Sequence, residues 1–206
     1  MSVDAYTYRK HEPRPGAPLV FAFHGTGGDE NQFFDLVRQM LPDAGVIAPR
    51  GDVSEHGANR FFRRTGEGVY DMEDLARRTE KMTSFVRAHR EFYPDSSIYG
   101  LGYSNGANIL ASVIFQEPTL FKAAALMHPL IPWRPSPDAR LARLKILISA
   151  GKKDPICPWN LTNRLVDYFK AQGSAVETSV QPGGHEIMMT ELQDVAAFLA
   201  RQAAVS

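Results

Sequence analysis

The sequence holds a single cysteine, Cys157, among 206 residues. An internal disulfide is therefore excluded, and the usage fits a reducing compartment. Charge of one sign is not in excess either: 23 Lys and Arg balance 23 Asp and Glu. Such a balance gives no global field to gather nucleic acid or anionic lipid. No run of about 18 or more apolar residues occurs, so no membrane insertion is expected. Residues 1–10 place charges and tyrosines where an export signal needs an apolar core. The expected address is the cytoplasm. Repeats, low-complexity tracts and long linkers are missing too, which reads as one domain over residues 1–206. With 44% hydrophobic and 22% charged residues, disorder, collagen and coiled coil are excluded. A chain of this length buries enough surface to hold a core without staples.

What is present is alternation. Short, nearly unbroken apolar runs at 19–23, 45–48, 97–101, 123–127 and 145–149 read as strands buried on both faces. Residues 176–180 add a sixth with alternating character. Between them lie amphipathic segments at 71–92, 105–116, 159–171 and 186–201, and Asp29 is the expected N-cap of a helix near 32–40. Strands alternating with helices predict an α/β fold: a mostly parallel central sheet with helices on both faces. In such sheets reactive groups belong just past the carboxyl ends of the strands.

The strongest local signal is Gly102-Tyr103-Ser104-Asn105-Gly106, directly after one strand and before one helix. A serine in that turn is forced into a strained conformation that lifts its hydroxyl above the sheet, and glycines two residues to either side avoid collisions. Its hydroxyl needs a base, and the base needs an orienting acid. In this architecture acid and then histidine follow the serine in chain order. His11, His24, His56 and His89 come too early, and His128 has no acid before it. His185, in the Gly-rich loop after the last strand, is the expected base. Asp154, just after the 145–149 strand, is the expected acid. His24-Gly25-Thr26-Gly27-Gly28 leaves the first long apolar strand with small residues suited to an oxyanion hole, whose donors are expected at Thr26 or an adjoining glycine and at Asn105. His24 itself is read as a hydrogen-bonded structural residue.

From about residue 19 to 199 the chain resembles the phospholipase/carboxylesterase family of small α/β-hydrolases, in its bacterial carboxylesterase branch, related to acyl-protein thioesterases. The resemblance rests on the His24-Gly25 loop, the Ser104 turn, residues 151–158 and Gly184-His185-Glu186. It implies Ser104 as nucleophile, Asp154 as acid, His185 as base, and backbone donors at Thr26 and Asn105. Thioesterase members usually carry Leu and Gln where Thr26 and Asn105 stand. Dienelactone hydrolases, a related fold, use cysteine as nucleophile, and Ser104 argues against that reading. Cys157 is alone and the histidines lack ligand-type spacing, so no metal and no cofactor are expected.

Phe61 and Phe62, flanked by Arg60, Arg63 and Arg64, read in two ways. Either the aromatics tuck into the core while the arginines stay in solvent, or an aromatic walls the substrate pocket while an arginine meets a polar substrate group. Trp133 and Ile156 are the other expected wall residues. No interval between strand and helix is long enough for a helical lid. The resulting expectation is a serine carboxyl-ester hydrolase acting through an acyl-enzyme on short or medium acyl esters. The alternatives are a lysophospholipase or acyl thioesterase, and a catalytically silent ligand-binding homologue. The expected partner is a small-molecule ester, and a homodimer is left open.

Overall fold

The computed structural model describes residues 2–204. Met1, Val205 and Ser206, the ends of the expected 1–206 domain, lie outside the described residues. Seven strands form the main sheet in the order β1-β3-β2-β8-β9-β10-β11. They are β1 (Tyr8–His11), β2 (Leu19–Phe23), β3 (Gly45–Pro49), β8 (Ile98–Tyr103), β9 (Ala123–Met127), β10 (Lys145–Gly151) and β11 (Ala175–Gln181). All neighbours run parallel except β1, which pairs antiparallel with β3.

Alternation along each strand splits the core in two. Leu19, Phe21 and Phe23 of β2 pack on one side, under α2 (Met72–Phe92), α3 (Asn105–Gln116) and α4 (Trp159–Ala171). Val20 and Ala22 face the other side, covered by α1 (Phe34–Met40) and α5 (Met189–Ala203). Period two on the strands and period 3.6 on the helices thus cover both faces, as the unbroken apolar runs predicted.

Helix starts show where local chemistry decided. The Asp71 carboxylate accepts the Asp74 amide at 3.0 Å and caps α2. Asp29 does not cap α1. Its carboxylate accepts the Asn31 amide at 2.8 Å, closing a turn before the helix, which begins at Phe34. α5 begins at Met189, later than position 186, because the preceding residues shape the His185 loop. Its start is fixed by Glu191, whose carboxylate accepts the Met188 amide.

Two features were not expected. β1 is polar and half-exposed, and it becomes a strand only by adding to the edge of β3. The stretch after β3 folds into two small hairpins, β4 (Val53–Glu55) with β5 (Ala58–Arg60), and β6 (Arg64–Gly66) with β7 (Val69–Tyr70). His56 and Gly57, at φ 52° and 88°, make the first hairpin's tight turn. Among the described residues no helical lid interrupts the sheet: between β9 and β10 lies only a short 3₁₀ turn, Ala139–Arg143. No helix among the described residues is long and apolar enough to cross a membrane.

Candidate active site

Ser104 sits between β8 and α3 at φ 52° and ψ −117°, a conformation that L residues rarely adopt. The bend works because its flanks are glycine. A Cβ on Gly102 would stand 2.6 Å from the Gly106 carbonyl oxygen, and one on Gly106 would strike the backbone of Phe23. The Ser104 amide donates to Met127 O at 2.9 Å, tying the turn to the end of β9. Ser104 Oγ then lies 2.9 Å from His185 Nε2, and His185 Nδ1 lies 2.7 Å from Asp154 Oδ2. The three expected residues therefore meet, each from the loop past a different strand: β8, β10 and β11.

The supporting contacts explain why they hold. The Tyr103 hydroxyl donates to the His185 carbonyl at 2.7 Å, and its ring lies 5.4 Å from the imidazole. The Lys153 amide donates to Gly183 O at 2.9 Å, joining the acid loop to the histidine loop. Asp154 Oδ1 accepts the amides of Ile156 and Cys157, both at 2.8 Å. Its Oδ2 accepts from a second imidazole, His128 Nδ1, at 2.8 Å. Burial acts to raise the Asp154 carboxyl, but the Cys157 amide and the two imidazoles outweigh it and hold the group below its ordinary value. His128 is fully buried, and its Nε2 lies 3.3 Å from Glu191 Oε2. Burial pushes His128 down, yet Glu191 and Asp154 together leave it raised.

The loop after β2 is pinned on several sides. His24 Nε2 accepts the Gly51 amide at 2.9 Å, so Nδ1 carries the proton facing Gly25 O at 2.6 Å. That is a structural histidine, kept neutral chiefly by burial. Hydrogen bonds among the described residues occupy the amides of Gly25, Gly27 and Gly28, but not that of Thr26. The Asn105 amide stands in the first turn of α3, where helical amides have no partner in the helix. The side chains of these two residues are tethered to one segment: Arg60 Nη1 donates to Thr26 Oγ1, and the Phe61 amide donates to Asn105 Oδ1, each at 2.7 Å.

A cavity of about 240 Å³ opens at Ser104, with Thr26, Arg60, Arg64, Tyr70 and Ile156 in its wall. Ile156 stands where the sequence put it. Phe61 and Phe62 do not: they are 1% and 0% exposed and pack into the core against Phe23 and Tyr70 respectively. Burial of two adjacent rings outweighs any wall role, which leaves that role to the neighbouring arginines. Trp133 also lies elsewhere, against Phe115 and Tyr70, lining other grooves. Arg60 is nearly buried, with Nε 3.1 Å from Glu55 Oε2, and Arg64 Nε reaches Glu55 Oε1 at 2.9 Å. Tyr70 was not foreseen. It faces the cavity because β6 and β7 fold over the site, and its hydroxyl bonds to Leu130 O and Asn108. Nothing in a two-residue strand announces that.

One group among the described residues, His128, Asp154 and His185, brings potential metal-ligand atoms within 4.8 Å of one another. Spacing along the chain gave no sign of it. Each imidazole nitrogen in the group faces an oxygen at hydrogen-bond distance, an arrangement in which protons occupy the places a metal would need.

Comparison with known proteins agrees with what the sheet and its carboxyl edge define, a small hydrolase of the α/β type. The chain belongs to the dienelactone hydrolase family, whose model matches residues 3–200. Setting that family aside because of Ser104 was therefore wrong: one atom at the turn does not alter the framework of strands and loops that the match spans. The chain is 37% identical over 177 residues to the putative hydrolase MhqD of Bacillus subtilis (strain 168), covering 85% of this chain and 88% of the relative. Among solved structures it is similar to a Bacillus cereus carboxylesterase, at 33% identity and TM-score 0.90, covering 95% and 94% of the two chains. A protein of unknown function from Agrobacterium tumefaciens str. C58 shares 54% identity and TM-score 0.91 over 98% of each chain. The carboxylesterase neighbour is consistent with the phospholipase/carboxylesterase resemblance.

Proposed function

We propose that the protein is a serine carboxyl-ester hydrolase working through an acyl-enzyme on short or medium acyl esters. The observation that carries this is the continuous chain from Ser104 Oγ through His185 to Asp154, at 2.9 and 2.7 Å. His185 Nε2 takes the Ser104 proton as Oγ attacks the ester carbonyl. The tetrahedral oxyanion is met by the free amides of Thr26 and Asn105. His185 returns its proton to the leaving alcohol, and water then releases the acid by the same route. Asp154 keeps Nδ1 protonated and stabilises the charged ring. Cys157 does not compete, since burial pushes its thiol up and away from the thiolate form. A fluorophosphonate probe tests the reading: labelling is expected on Ser104 alone and lost in Ser104→Ala. A folded wild-type protein that stays unlabelled rejects it.

The size of the substrate follows from the cavity. At about 240 Å³ it lies below the roughly 300–1,000 Å³ typical of sites that engulf drug-sized ligands. No helical lid among the described residues closes over it. Both features favour a small acyl group over the long chains of a lysophospholipase or acyl thioesterase.

A further inference from the structure

We propose that His128 is a positioning residue for Asp154, a buried imidazolium that clamps the acid between the catalytic loop and α5. The proposal rests on the triad reading above and adds a member that chain order had excluded. His128 follows the end of β9 at a positive φ of 49°, and its ring is fully buried. Both ring nitrogens face carboxylate oxygens, Asp154 Oδ2 at 2.8 Å and Glu191 Oε2 at 3.3 Å. All three residues are buried.

Proton counting argues for the cation. Glu191 also receives the Ser149 hydroxyl at Oε1 and the Met188 amide at Oε2, so donors surround it. Asp154 receives two amides and two imidazoles. Because each carboxylate already accepts from other donors, the His128 nitrogen facing each is left to carry a proton. A buried cation flanked by two buried anions is sustainable where a lone one is not. The other groups facing the ring are His185, with centroid at 5.3 Å, and Tyr103 at 5.9 Å. The Cys157 thiol donates to the His128 carbonyl, and Glu186 is the further charge at the exposed rim.

The function of the clamp is twofold. Four donors leave Asp154 one orientation, aimed at His185 Nδ1. The positive charge of His128 also offsets part of the field that Asp154 exerts on His185. Replacing His128 by a neutral donor strengthens Asp154's hold on the protonated base. The acid limb of kcat/KM then moves to higher pH.

The test has a spectroscopic and a kinetic arm. In protein labelled with ¹⁵N-histidine, one buried ring should carry protons on both nitrogens at pH 8, where an ordinary histidine is neutral. That signal should vanish in His128→Asn and, as pH rises, be lost sooner in Glu191→Gln than in wild type. A His128 ring carrying a single proton at pH 8 overturns the proposal. For His128→Asn, the acid limb should move to higher pH with a lowered plateau. An unmoved midpoint with only a lower melting temperature would mean the ring is mere packing, and overturns it too. The spectrum needs no turnover, so failure of the esterase reading, seen as an unlabelled Ser104, is distinguishable from failure of this one.

Discussion

Ser104, His185 and Asp154 stand within hydrogen-bonding reach although 81 and 31 positions separate the base from its two partners. Because such residues act as a unit, Ser104→Ala, His185→Ala and the double substitution should each lose on the order of 10⁴-fold or more in kcat, without adding. Additive losses in the double variant, measured on one ester, would separate the two residues. Ser104 and Asp154 were legible because each lies just past a strand that its own apolar run announces, and His185 because it follows the alternating last strand. The tie from His128 to Asp154 was not, because it depends on how β9, β10 and α5 come together. A second residue-scale expectation concerns His89 on α2. Burial lowers its pKa to about 4, the Val3 carbonyl only partly opposing, and its Nε2 has no partner among the described residues. The folded state therefore holds fewer protons than the unfolded one between about pH 6.5 and 4, and stability must fall as pH drops through that window. The limiting slope is about 1.4 kcal/mol per pH unit. His89→Leu should show a shallower decline in melting temperature from pH 6.5 to 4, with wild type as the reference.

Elements divide by how much of their structure is local. The central strands and α2 to α4 were readable almost to the residue, since each buries a continuous or periodic apolar set. β1 and the hairpins were not, because their residues are polar, short in run, and ordered by what they pair with. Yet the first hairpin holds the loop after β2, where the proposed oxyanion donor Thr26 sits. Its Asn59 carbonyl accepts the Gly27 amide at 2.9 Å, and Arg60 holds Thr26. Truncating Arg60 to alanine removes a hydrogen bond from a charged donor, worth about 1.5–3 kcal/mol, so kcat/KM should fall roughly tenfold to a hundredfold. Arg63→Ala is the control, for Arg63 is half-exposed and pairs with Asp71 and Asp74 outside the cavity. Equal kinetics for the two variants would detach the hairpin from catalysis. If arginine charge also meets substrate, a carboxylate-bearing ester should lose more than a neutral one on Arg60→Ala or Arg64→Ala.

At the scale of the whole molecule the question is how much substrate this frame can cover. The sheet supplies a floor, the loops past β2, β8, β10 and β11 supply one wall, and the hairpins after β3 supply another. Lipase-like enclosure would require an inserted helical layer, and the chain places only strands and a 3₁₀ turn at the two points where one could be accommodated. Each buried methylene gains about 0.8 kcal/mol, but only while wall remains to exclude water from it. The cavity wall is also mixed in character, since Arg60, Arg64, Glu67 and Asn108 interrupt its apolar surface. Extra carbons therefore soon project into solvent or against charge. In a p-nitrophenyl ester series from acetate to palmitate, kcat/KM should rise over the first few carbons and then level or fall. No jump in rate should appear as substrate passes its solubility limit. Acyl thioesters run in parallel place the leaving group under the same scrutiny. A steady climb to palmitate would mean that a surface groove extends the cavity, and would turn the assignment toward a lysophospholipase or thioesterase on the same catalytic frame.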